Sequence, residues 1–148
     1  MMSLALALLA AVAAHDENTS GPDADMIRLL DRIAWIDIGP GRKLKTLTPQ
    51  QIAELRTCKE PTMILQKNGG AWTQSFYAGV EMRTVYSSAT LKTEAAGTTI
   101  LFYSAGHSAP TETLRLTPRG DVLVEQTRGF RPRTFLKCNP PKAETKTP

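Results

Sequence analysis

From Pro61 to Cys138 the chain breaks into short runs rich in β-branched and aromatic residues, separated by turn formers, and this rhythm limits the possible folds more than any other feature. The breaks are Asn68-Gly69-Gly70, Ala78-Gly79, Ala95-Ala96-Gly97 and Pro118-Arg119-Gly120-Asp121. Asn-Gly supplies the positive φ that a tight hairpin turn requires, and the other breaks read as turns in the same way. The predicted strands are Met63 to Lys67, Trp72 to Tyr77, Val80 to Thr93 (one long bent strand or two), Thr98 to Ser104, Thr111 to Leu116, Val122 to Gln126 and Thr134 to Cys138. Strands in such close succession predict an antiparallel meander, curled into a half-barrel or a small closed barrel.

Residues 23–58 follow a different period. Met26, Leu29, Leu30 and Ile33 lie one helical turn apart and predict a helix that Asp23 or Asp25 opens. It is expected to run to about Trp35 or Ile38, before Gly39-Pro40-Gly41 stops it. A second, short helix begins at Thr48-Pro49-Gln50-Gln51, where Thr48 caps, Pro49 suits the first helical position and Gln51 completes a capping box. It ends near Cys58, because Pro61 cannot continue it. The expected fold is therefore α+β, mainly β, with two short N-terminal helices followed by the meander. Residues 23–138 form one compact domain, with a helical part at 23–58 and a β part at 62–138. Residues 139–148 (NPPKAETKTP) read as a disordered tail.

The N-terminus bears on compartment. Residues 1–14 hold no Asp, Glu, Lys or Arg, and Leu4 to Val12 is an unbroken apolar run followed by a small-x-small pattern. That predicts a signal peptide over 1–14, although only the α-amino group supplies its positive charge, with 15–22 as a flexible lead-in. The run is far shorter than the ~20 residues needed to cross a bilayer, so stable membrane insertion is not expected. A secreted or periplasmic location follows. Two cysteines in an exported chain, Cys58 and Cys138, predict one disulfide. They are too few for a structural zinc site, and His15 and His107 lack ligand spacing, so no metal and no cofactor is expected.

Charge points to the kind of partner. Residues 15–41 carry six acids against Arg28 and Arg32, a net −4, whereas residues 42–148 carry sixteen Lys and Arg against eight acids, a net +8. Either the two segments attract each other or the basic body meets an acidic partner. The densest basic cluster is Arg128-Gly129-Phe130-Arg131-Pro132-Arg133, with Arg115 and Arg119 close in sequence. Arginine forks match carboxylate and phosphate, and Phe130 can anchor. No nucleic-acid reader motif is present, so the expected partner is another protein or an acidic envelope component. The expected function is non-catalytic binding, for example as an inhibitor, by a monomer.

Two other functions are open. Gly70-Ala71-Trp72, with arginines near the final strand, resembles the Gly-x-Trp of the lipocalins. That resemblance implies a tryptophan closing one barrel end, a late arginine lying across it, and an apolar ligand inside. Trp72, Tyr77, Phe102 and Tyr103 are the residues expected to line such a cavity. An enzyme would use His107 beside Ser104 and Ser108, but Phe102 stands where a nucleophile elbow has glycine. The acids Glu81, Glu94, Glu112 and Glu125 fall on separate strands and give no sign of a shared cleft.

Overall fold

The computed structural model describes residues 22–77 and 79–140. The signal segment 1–14, the lead-in apart from Pro22, and residues 141–148 of the tail lie outside them. In chain order the elements are α1 (Pro22–Leu30), β1 (Ala34–Asp37), one 3-10 turn (Leu44–Thr46), α2 (Pro49–Leu55), β2 (Met63–Asn68), β3 (Ala71–Tyr77), β4 (Glu81–Tyr86), β5 (Ser88–Glu94), β6 (Gly97–Tyr103), β7 (Glu112–Leu116), β8 (Val122–Thr127) and β9 (Arg133–Lys137). They build the mainly β small barrel that the turn rhythm predicts. The α2 cap forms as read, with Thr48 Oγ1 accepting from the Gln51 N–H and the Gln51 side chain accepting from the Thr48 N–H.

The first helix is shorter than its periodicity suggests. Arg32 turns the chain at φ 59°, and Trp35 and Ile36 join the sheet as β1, between β2 and β9. Trp35 points into the barrel, while Ile36 and Ile38 point outward beneath α2. Both faces of β1 are thus covered, and a short run that is apolar on both faces looks the same in sequence whether strand or helix.

All strand pairings are antiparallel, in the order β4-β3-β2-β1-β9-β8-β7-β6-β5. The two ends of this order are one stretch of chain. β4 pairs with β3, the backbone bends at Ser87, and β5 pairs with β6, so a single bent strand brings the sheet round into a nearly closed barrel. Turns β2–β3, β5–β6 and β7–β8 emerge at one end, where α1 lies: Asp23 is 3.9 Å from Lys67, and Gly120 of the β7–β8 turn sits beside Leu29. Connections β3–β4, β6–β7 and β8–β9 emerge at the other end.

Side chains fill the interior. Trp35, Trp72, Phe102, Phe135, Leu65, Leu114 and Leu123 are fully buried there, and Met26 and Leu30 of α1 join them. Each such side chain contributes roughly 1.5 to 3 kcal/mol by leaving water. A smaller cluster lies outside the barrel wall, where Ile38, Val122 and Leu136 pack against Leu44, Leu47, Ile52 and Leu55. Cys58 and Cys138 form the predicted disulfide, with Cα atoms 5.6 Å apart.

Gly97 opens β6 at φ 134°, and a Cβ there would lie 2.1 Å from the Leu116 carbonyl oxygen. Neither the backbone nor that oxygen can yield cheaply. Gly97→Ala is therefore expected to lower the unfolding free energy by about 2 kcal/mol, read as a lower urea midpoint at unchanged m-value.

Candidate functional site

At the end of the barrel away from α1, four inward-facing polar side chains meet. Glu112 starts β7, Glu125 lies on β8, Gln74 on β3 and Tyr86 ends β4. The β7–β8 register sets Leu114 opposite Glu125, which makes Glu112 and Glu125 diagonal neighbours on the core face. Both are almost completely buried, at 4% and 3% exposure. Gln74 Nε2 donates to Glu112 Oε1 at 2.9 Å and to Glu125 Oε2 at 2.7 Å. The Tyr86 hydroxyl is 2.8 Å from Gln74 Oε1 and also in contact with Glu112 Oε2. From β9, opposite Glu125, Arg133 Nη2 donates to Glu125 Oε1 at 2.9 Å.

The hydrogen-bond geometry favours one charge state for this cluster. Tyr86 has one hydroxyl hydrogen and two oxygen neighbours, so one of those neighbours must itself bring a hydrogen. Gln74 Oε1 has none to give. Glu112 Oε2 therefore carries a proton and donates to Tyr86, and Tyr86 donates to Gln74. Every oxygen of both carboxyl groups is then satisfied, with Glu112 neutral and Glu125 an anion paired with Arg133. The electrostatics agree. Burial first, and the neighbouring Glu125 second, push the Glu112 carboxyl up to about 8, against partial relief from the bond that Gln74 donates to it. Burial, and then the charge that Glu112 gains once it ionises above about pH 8, likewise raise the Tyr86 hydroxyl well above its ordinary value.

The cluster supports the surface above it. The Arg133 guanidinium, 43% exposed, lies 4.4 Å from the centre of the Phe76 ring and 5.6 Å from that of Phe135. It is the base of the β8–β9 turn, which carries Arg128, Phe130 and Arg131. The Phe130 N–H donates to Thr127 O at 3.0 Å. The Gln126 side-chain amide reaches Thr127 O at 3.2 Å and Phe130 O at 2.9 Å. Bonds on both sides thus hold a turn whose Phe130 is 72% exposed. Among the described residues neither Arg128 nor Arg131 forms an ion pair.

The remaining predicted residues do not join this surface. Arg115 is exposed on the outer face of β7, and Arg119 sits in the β7–β8 turn at the α1 end, a strand's length away. Arg133, predicted to face a partner, is committed to Glu125. Trp72 is buried edge-on against Phe102, whereas Tyr77 and Tyr103 lie on the outer face, so those four line no common cavity. The late arginine covers Phe76 rather than Trp72. His107 is exposed, and Ser104 Oγ pairs with Thr111 Oγ1 at 3.0 Å. Among the described residues no group of His, Cys, Asp and Glu suits a metal ion.

Compared with known family models, with curated proteins and with solved structures, the chain matches none.

Proposed function

We propose that this is an exported, non-catalytic binding protein that inserts the β8–β9 turn into an acidic cleft of another protein. The observation that carries this reading is Phe130, a large apolar side chain held 72% exposed between two arginines without ion-pair partners among the described residues. A turn already braced by Gln126 loses little entropy on docking, and an aromatic flanked by arginines has the composition of an interface hot spot. Charge supports the same reading. Among the described residues, one ion pair, Asp23 to Lys67 at 3.9 Å, joins the acidic segment to the basic body, so the body's charge is largely left for a partner. An oxidising compartment is supported by the Cys58–Cys138 bridge. The filled interior favours binding at the surface over carriage of an apolar ligand.

The test places a photocrosslinking amino acid at position 130, with a control at the exposed Lys92, in cells exporting the protein. One partner protein is expected from position 130 and not from 92. Its capture should fall about tenfold at low salt, and by less at high salt, in the double variant Arg128→Gln/Arg131→Gln. With the partner purified, Phe130→Ala is expected to raise Kd about thirtyfold. Equal crosslinking from both positions, or capture indifferent to the two arginines, overturns the reading. Crosslinks to acidic polymer alone would transfer it to an envelope component.

A further inference from the structure

The strand order ends on β4 and on β5, which do not pair with each other, and the β4 edge is the one that carries exposed apolar side chains. β4 pairs with β3 on one side, and no backbone hydrogen bond of the described residues satisfies Glu81 to Val85 on the other. Of the six exposed large apolar side chains of the described residues, Met82 and Val85 lie on this strand, Val80 in the turn leading into it and Tyr77 at the end of β3. Natural edge strands are commonly short, charged, bulged or covered, and an exposed apolar edge marks a site of pairing.

Which backbone groups are free follows from the register. Asn68 and Ala71 close the two-residue β2–β3 turn, and the Tyr77 N–H donates to Thr62 O, so the odd-numbered residues of β3 bond towards β2. Trp72, Gln74 and Phe76 then bond towards β4, where they face Tyr86, Thr84 and Met82. The free N–H and C=O groups of β4 therefore belong to Glu81, Arg83 and Val85. A second β4 approaching antiparallel about a two-fold axis must match these odd positions with each other. Centring the axis on Arg83 sets two guanidinium groups face to face. Centring it on Thr84 sets Arg83 against Val85. Centring it on Met82 sets Glu81 against Arg83 twice, with the Met82 side chains together on the other face. Glu81 and Arg83 already pair within one chain, Nε to Oε1 at 2.8 Å, so both side chains occupy the same face.

From this self-complementarity we infer that β4 is a homodimer edge, joining two copies antiparallel about Met82 with reciprocal Glu81–Arg83 pairs. The pairing draws on residues of β4 and on none of the β8–β9 turn. The monomer expected from the sequence is tested by the same measurement.

Sedimentation equilibrium of the oxidised full chain is expected to give twice the chain mass at micromolar to submillimolar concentration. Arg83→Glu places like charges opposite one another twice and should weaken the dimer about tenfold or more. The swap Glu81→Arg/Arg83→Glu restores opposite charges in the same register and should restore the dimer. Both positions are exposed, so circular dichroism should be unchanged in either variant. A monomer throughout the range overturns the inference. So does a dimer that Arg83→Glu leaves intact, or one that Arg83→Glu abolishes and the swap does not rescue.

Discussion

Glu112→Gln is expected to leave the barrel folded and to remove a loss of stability that the unchanged protein suffers between about pH 4.5 and pH 8. In the folded protein Glu112 keeps its proton until about pH 8, whereas in the unfolded chain it loses it near its ordinary value of 4.5. Between these values the folded state binds more protons, so its unfolding free energy falls as pH rises. The slope is about 1.4 kcal/mol per unit, a few kcal/mol across the window, and the curve levels above pH 8. Glutamine keeps the shape of the protonated acid: its NH2 replaces the O–H towards Tyr86 and its carbonyl still accepts from Gln74. Denaturation midpoints of the variant should thus match the parent near pH 4 and exceed it near pH 8. Asp121 bends both curves at the acid end. Burial alone would raise its carboxyl, but hydrogen bonds from Thr117 and Arg56 outweigh that and hold it below its usual range. Its contribution is present above that range and lost as pH falls through its lowered value. Glu125→Gln, by contrast, deprives Arg133 of its anion and should lower stability throughout. Parallel profiles for the parent and Glu112→Gln would show that Glu112 is ionised in the fold.

Why this cluster escaped the sequence reading is a matter of phase. Glu112, Leu114 and Leu116 share one parity in β7, as do Leu123 and Glu125 in β8, so period-two alternation puts both acids on the core face. That signal was readable. What no local pattern carries is the register that sets Glu125 diagonal to Glu112 and Arg133 opposite Glu125, or the closure that brings Gln74 from β3 to within 2.7 Å of Glu125. The meander itself was legible because its turns are chemically explicit, whereas Val80–Thr93, which holds no Gly, Pro, Asn or Asp, left open the division that the structure places at Ser87. β1 was not, because burial on both faces erased its alternation. The basic cluster was legible as charge but not as geometry: Arg133, folded in against Phe76, stands two positions after Arg131 in the exposed turn.

Replacing both cysteines, Cys58→Ser/Cys138→Ser, is expected to lower the unfolding free energy by about 4 to 5 kcal/mol. The bridge spans 80 positions and encloses β2 to β9, so the oxidised unfolded chain is one large loop with far fewer conformations than the open chain. In the folded state, other contacts already hold the same junction. The Asn139 N–H donates to Arg56 O at 2.8 Å, the Cys138 N–H donates to Ala34 O at 3.0 Å, and Arg56 pairs with Asp121 at 3.1 Å. The serine variant should therefore reach the same fold, and the loss should arise from the unfolded side. A domain of this size holds roughly 5 to 15 kcal/mol in total, so the change takes away a large share of it, a fall in Tm of roughly 15 °C. Reduction of the parent with dithiothreitol should give the same midpoint as the serine variant, because only the cross-link differs. β1 lies outside the enclosed loop yet sits between β2 and β9, and its amides report whether the loss is global. Hydrogen exchange faster by the same free energy in β1 and in β7 assigns the bridge to the unfolded ensemble. Exchange faster in β1 alone would make it instead a local clasp on the seam that β1 fills.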